Sequence, residues 1–317
     1  MAEATGTVDR QERNDGRSGL LERLPLPSLS FEMMLSLPSI VFLAFISIIP
    51  LVALLWVSVM EFGFSPTEAN EFVGLGNYEQ VLTNARVINS WWTTAVYVTS
   101  ALVLQTVLGI VLAVSLDTID RGENAFTSII IIIMPMMIAP VVVGLLWDFL
   151  LNNTFVLYAF VLHQFGLFVG QPILGTVDTA LAAVIIMDTW QWTPLVVLIV
   201  LARLKSVPTQ SYEAARIDGA DAWEAFRYVT YPLIKPAIAI ALLLRSMDLL
   251  RFFDKTFITT RGGPADATKV IGMFVYEQGL GQLDYGVAAA LGVTLMAVTI
   301  IIDFAFVEFF MGGADDE

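Results

Sequence analysis

The sequence predicts an all-α polytopic membrane protein with six transmembrane helices. Hydrophobic residues make up 57% of the chain and charged residues only 15%, against about 25% charged in ordinary soluble domains. Residues 37–60 run for 24 positions without a charge, about 36 Å as a helix and enough to cross a hydrocarbon core of about 30 Å. Five further apolar runs of similar length follow. Backbone groups in lipid must be satisfied within the segment, so spans this long and apolar are read as helices.

Taken in order, the spans are 37–60, 91–116, 127–151, 180–201, 236–258 and 285–310. Residues 1–36 form a polar leader rich in Gly, Arg and Glu, whose composition predicts disorder. The first span is too long for a cleavable signal peptide and follows that acidic-containing leader. With the N-terminus inside, the inner segments hold Arg10, Arg13, Arg17, Arg23, Arg121, Arg203, Lys205, Arg216, Arg227 and Lys235, and the outer loops hold Arg86, Arg261 and Lys269. That asymmetry predicts a multi-pass protein of the cell membrane with both termini cytoplasmic. Residues 37–310 form the six-helix transmembrane domain, with a cytoplasmic loop at 202–235, and 311–317 form an acidic tail.

Net charge is −14. Acidic groups occur in nearly every water-exposed segment, a surface that self-repels at low salt and is screened at high ionic strength, which fits a salt-adapted source. No nucleic acid is expected among the partners. The chain has no cysteine and one histidine, His163, which leaves no thiolate or histidine cluster for a metal.

The cytoplasmic loop departs most from a plain connector. Pro208 suits the first turn of a helix, and nothing from Thr209 to Asp218 breaks one. Gly219 then stops it, because a residue just past a helix end often needs positive φ. Asp221 and Glu224 read as a capping pair opening a second short helix, with Trp223, Phe226 and Thr230 on one face, ended by Pro232 and Pro236. Ala214 and Ala215 let another surface approach the backbone, and Glu213 offers a carboxylate to a basic partner. One reading of this hairpin is an amphipathic element lying on the membrane; the other is a docking site.

The pattern Glu213-Ala214-Ala215, three residues, Gly219, and Pro232 beyond resembles the EAA loop of binding-protein-dependent ABC import permeases, with Val229 and Tyr231 standing where Ile and Leu are usual. Phe72, Val73, Gly74, Leu75, Gly76, Asn77 and Tyr78 resemble an element that follows the first span in carbohydrate-uptake permeases. Pro135 with Trp147, Trp190 with Pro194, and Thr260 with Gly262, Gly263 and Pro264 also sit where that family has them. The resemblance covers roughly residues 37–310 and implies the type I importer fold in its compact six-helix form, of the maltose/trehalose class. It further implies that Glu213, Ala214, Ala215, Arg216, Asp218, Gly219, Ala220, Trp223 and Phe226 form a coupling helix docking on an ATPase. The chain has no Gly-x-x-x-x-Gly-Lys-Ser/Thr loop, so ATP and Mg belong to two partner ATP-binding subunits and this chain binds no cofactor. A second homologous permease and an outer solute-binding protein complete the implied assembly, and the substrate is a sugar, a di- or oligosaccharide such as trehalose or maltose, with glycerol-phosphate or another polyol as the alternative.

The fifth span carries Arg245, Asp248, Arg251, Asp254 and Lys255, which cost several kcal/mol each if lipid-facing. Helical spacing puts Asp248, Arg251 and Lys255 on one face with Arg245 and Asp254 at its edges. Two readings stand: a salt-bridge ladder inside the bundle, or a cavity wall that hydrogen-bonds sugar hydroxyls. On the second, the substrate path is Asp248, Arg251, Arg245, Gln191, Trp190 and Phe252, with Trp192, Phe253, Asp188 and Asp148 as lesser candidates. Two other function classes fit less well. A membrane-embedded enzyme lacks a convergent acid/base set, and a standalone secondary transporter leaves the hairpin unexplained and shows no inverted repeat.

Overall fold

The computed structural model describes residues 31–62, 70–119, 125–151, 164 and 172–311. Most of the leader, Arg121, His163 and the acidic tail beyond Met311 lie outside the described residues. The first helix, α1 (Phe31–Ser58), begins inside the expected leader. Residues 31–52 form a unit described by itself, an apolar helical segment; residues 53–317 form the other.

In the second unit a two-residue strand pair, β1 (Met60–Glu61) and β2 (Glu71–Phe72), leads to α2 (Gly76–Thr83) and to α3 (Ala85–Ile119). α4 (Ala125–Ile133) passes through a 3-10 turn at Met134–Met137 into α5 (Pro140–Leu151). The long α6 (Val177–Lys205) is followed by α7 (Thr209–Ile217) and α8 (Ala222–Ala225). A π turn at Phe226–Thr230 opens into α9 (Tyr231–Leu250), then come α10 (Asp254–Thr259), α11 (Ile271–Tyr276) and α12 (Tyr285–Met311).

Among the described residues four helices are long and apolar enough to cross a membrane: Leu35–Ser58, Ala85–Thr118, Val177–Lys205 and Tyr285–Glu308. The third expected span is bent by 95° between Thr127–Met137 and Pro140–Leu151 and counts as a fifth if taken as one broken span. Pro140 explains the break, since it cannot donate back into a preceding turn. The fifth expected span also differs from the sequence reading. It begins earlier, at Tyr231, with Pro232 in its first turn and Pro236 inside it, and it ends at Leu250 rather than Ile258. Pro232 was expected to end the preceding helix, and Pro236 to end it as well or to begin this span. Pro232 instead falls among the first-turn positions that have no intrahelical acceptor, so it starts the helix without losing a bond.

Two apolar clusters join α3, α6 and α9. Ala113, Leu116, Val196, Val197, Val200 and Leu204 zip α3 to α6, joined by Ile234, Ile238 and Ala241 of α9. Further along, Tyr97, Val184, Leu249, Phe252 and Met273 form a second cluster. Gly109 sets the α3 to α6 distance: a Cβ there would lie 2.5 Å from Val196 Cγ1. In a bilayer, where lipid is as apolar as leucine, such close backbone approach is what binds helices. Gly109→Leu is therefore expected to overpack the crossing by about 1–3 kcal/mol, read as a lowered thermal midpoint and reduced yield of monodisperse protein in detergent.

The end of the bundle away from the hairpin is tied by the 72–78 element. Asn77 Nδ2 donates to the carbonyls of Ser58 (3.0 Å) and Met60 (2.9 Å), and Tyr78 OH lies 2.7 Å from Ser58 Oγ. Gly286 in α12 packs so closely here that a Cβ would strike the Met60 carbonyl and Asn77 Nδ2. The motif thus locks the start of the chain's second unit against α12. Nearby, Asp266 accepts from Arg86 Nε (2.8 Å) and pairs with Lys269 Nζ (2.7 Å), which also reaches Glu277 (2.7 Å). The Arg86 bond, with Lys269 acting in the same sense, holds the Asp266 carboxyl below its ordinary range against the opposing effect of burial. A depressed carboxylate stabilises the fold above its unfolded pKa of about 4 and loses that contribution as pH falls through the lower folded value. The thermal midpoint of Asp266→Asn should then trail the native protein near neutral pH and converge with it below about pH 4.

Candidate functional site

The hairpin is built by two local devices. α7 ends in a paired set of bonds: Ala220 N donates to Ala215 O (2.9 Å) and Gly219 N to Arg216 O (3.1 Å), with Gly219 at φ +82. This is the arrangement a left-handed residue past a helix end permits. α8 opens with a full capping box: Glu224 N donates to Asp221 Oδ1 (2.8 Å) and Asp221 N to Glu224 Oε2 (3.0 Å). The two helix ends face each other across Asp218, Gly219 and Ala220, so the turn has one conformation.

Glu213, Ala214, Arg216, Asp218 and Gly219 are exposed, and Ala215 and Ala220 half-buried. Trp223 stacks on Phe226 (5.7 Å), which reaches Tyr231 (6.4 Å) rather than the expected Thr230. The five-residue π turn rotates Thr230 inward, where it is buried and meets Tyr212 OH (3.4 Å) across the hairpin. Ile217 is 86% exposed and Trp223 65%. Ile217 was not anticipated, although an isoleucine two residues before the stop at Gly219 on an otherwise polar segment is a legible signal. Beneath the hairpin a cavity of about 690 Å³ opens toward the ends of α3 and α6, with Asp117, Tyr212, Glu213, Arg216, Asp221 and Phe226 on its walls.

The second site is a closed charge cluster. Asp188 of α6, 1% exposed, accepts from Lys255 Nζ at Oδ1 (2.5 Å) and from Arg245 NH2 (2.8 Å) and Gln105 Nε2 (2.8 Å) at Oδ2. Arg245 Nε donates to Gln105 Oε1 (2.8 Å), and its NH1 reaches Asp248. The guanidinium also lies over the Trp192 ring, 4.8 Å from its centre. Four elements, α3, α6, α9 and α10, meet on one carboxylate.

This geometry corrects the face expected for the fifth span. The helix breaks at Arg251 to Phe253, so Lys255 turns inward onto Asp188 instead of sharing a face with Asp248 and Arg251. Of the six expected path residues, Asp248, with its side chain 56% exposed, and Arg251 stand on the open stripe of α9 that continues through Leu244 and Ile240. Arg245 lies behind them, buried. Phe252 stacks on Tyr97 (4.7 Å) inside the bundle. Gln191 is fully buried and donates to the Ile138 carbonyl (2.7 Å), holding the bend before α5. Trp190 lines an apolar groove with Leu104, Leu108 and Pro135. Asp188, rated a lesser candidate, is the hub, and Gln105 was missed because an uncharged amide in a long apolar run carries no periodic signal. Asp303 of α12, likewise buried, accepts from Ser246 Oγ (3.3 Å). Among the described residues no group of His, Cys, Asp or Glu is placed to hold a metal ion.

Broken membrane helices, a structured polar hairpin at one end and an exposed charged stripe on one helix define a membrane-embedded transport subunit. The fold is that of a chain in the crystal structure of a bacterial ABC transporter involved in the import of the acidic polysaccharide alginate, at TM-score 0.75 and 20% identity over 87% of this chain and 93% of that one. The protein belongs to the family of binding-protein-dependent transport system inner membrane components, whose family model matches residues 105–310. Its relatives include the trehalose/maltose transport system permease protein MalF of Thermococcus litoralis, 35% identical over 76% of this chain and 80% of that one. The sn-glycerol-3-phosphate transport system permease protein UgpA of Rhizobium meliloti is 32% identical over 75% and 81%. The chain is thus an ABC importer permease, a transport component rather than an enzyme.

Proposed function

We propose that this chain is one permease subunit of an ATP-driven importer for a sugar, a di- or oligosaccharide such as trehalose or maltose. The observation that carries the reading is the α9 stripe. Asp248 and Arg251 are exposed near the end of the helix that the sequence reads as the fifth span, where a lipid-facing charge costs up to about 3.5 kcal/mol by insertion scales, so that face belongs to a wetted path or a partner subunit. The 35% identical trehalose/maltose permease supports a disaccharide. The buried cations Arg245 and Lys255 are each paired with a carboxylate, while the open stripe offers both an acceptor for a hydroxyl, Asp248, and an exposed cation, Arg251, so glycerol phosphate is the alternative substrate that the uptake test must separate.

In this reading the hairpin around Glu213, Ala214, Ala215 and Gly219 docks on one of two ATP-binding subunits, which hold the ATP and Mg. The exposed Ile217 and Trp223 give the docking surface its apolar anchors. A second permease completes the path, and a solute-binding protein delivers the sugar. ATP-driven closure of the ATPases moves the hairpin as a rigid body and rocks the spans. The test is ATP-dependent uptake into proteoliposomes holding the co-purified complex and its binding protein. Trehalose or maltose uptake is expected. Preferential uptake of glycerol 3-phosphate would overturn the disaccharide assignment, and transport by the lone chain would overturn the importer.

A further inference from the structure

The Asp188 cluster is balanced: two carboxylates, Asp188 and Asp248, face two cations, Arg245 and Lys255. Its members differ in exposure. Asp188, Arg245 and Lys255 are sealed, while the Asp248 side chain is half in the open. Arg245 links the two regions. Its Nε is fixed by Gln105 and its NH2 by Asp188, and the remaining branch of the planar fork points at Asp248 Oδ2. The guanidinium cannot rotate without breaking the two buried bonds. Asp248 Oδ1 has no protein donor among the described residues, and the side chain that carries it is 56% exposed.

We propose that Asp188 is a positioning residue of the transport path: acting through Arg245, it fixes the Asp248 carboxylate in one orientation as the acceptor for a hydroxyl of the passing sugar. The inference rests on the reading of Asp248 as path wall. A rigid fork holding one carboxylate oxygen leaves the other aimed, which is how a preorganised acceptor discriminates between a hydroxyl and its absence. Lys255 has a separate part in this arrangement. It neutralises the second oxygen of Asp188, so that the hub itself carries no unspent charge toward the path.

The test uses the complete importer in proteoliposomes, with trehalose (or maltose, whichever the native importer carries) compared with its singly deoxygenated analogues. The readout is the ratio of uptake rates. Asp248→Asn should lower the discrimination at one hydroxyl roughly tenfold, the worth of one hydrogen bond to a charged group. The charge-balanced double variant Asp188→Asn with Lys255→Met should assemble, lose the same discrimination, and lose no more when Asp248→Asn is added. A purely architectural role would slow all sugars alike and leave the ratio untouched. Native discrimination in the double variant, with loss in Asp248→Asn, overturns the proposal while the sugar path stands. Native discrimination in Asp248→Asn removes the path-wall reading and the proposal with it. If the double variant does not assemble, Arg245→Lys decides. It keeps the charge but not the fork, and an unchanged ratio there overturns the proposal.

Discussion

Asp188→Ala is expected to abolish the assembled importer. The substitution leaves Lys255 with no carboxylate and Arg245 with only its Asp248 arm, both within the bundle. Removing one partner of a buried ion pair costs about 3–5 kcal/mol because the other charge remains without compensation, a large share of a stability of about 5–15 kcal/mol. Lys255→Met should be milder, since Asp188 then keeps Arg245 and Gln105. Asp248→Ala should be milder still for assembly, because Arg245 retains Asp188 and the lost carboxylate is half-exposed. The order Asp188 above Lys255 above Asp248 is read by size-exclusion profile and thermal midpoint of the detergent-purified complex. Equal midpoints for Asp188→Ala and Asp248→Ala would show that the buried charges do not hold the four elements together.

That order could not be taken from the sequence, and the reason is specific. Treating 236–258 as one helix places Asp248 on the same face as Arg251 and Lys255, and makes Asp248 the residue whose loss strands a cation. The chain breaks at Arg251 to Phe253 instead, and nothing in that tripeptide is a helix breaker by composition. What turns Lys255 inward is its partner on α6, 67 residues earlier, a long-range contact that helical spacing does not encode. The hairpin was legible for the opposite reason. Its stop at Gly219 and its cap at Asp221 and Glu224 are local devices whose residue types and spacing carry the conformation, and the structure has both. Four of the six expected spans, 37–60, 91–116, 180–201 and 285–310, were legible from length and apolarity, but the bend in the third and the break in the fifth were not. Gln191 shows the same limit: a polar residue beside Trp190 in a membrane helix reads as path-facing, whereas its side chain is fully buried and its Nε2 donates to the Ile138 carbonyl at the bend.

Gly219→Val is expected to uncouple the transporter while leaving it assembled. A Cβ at this position meets no atom within 4 Å, so the substitution causes no clash. Its whole cost is conformational: φ is +82, a region that costs a non-glycine residue about 1–2 kcal/mol and a β-branched one more. The strain falls on the three residues that set α8 against α7, far from the packed spans, so membrane insertion and complex yield should stay near native. If the hairpin carries motion from the ATPase, tilting one helix of it against the other should lower sugar uptake per ATP hydrolysed. A graded series isolates the cause. Asn tolerates left-handed backbone and should keep most uptake, Ala should be intermediate, and Val should lose it. Wild-type uptake in Gly219→Val would show that the turn's conformation does not transmit the stroke. Loss in Asn equal to loss in Val would shift the explanation from φ to space, meaning that the docking partner approaches this backbone too closely for any side chain.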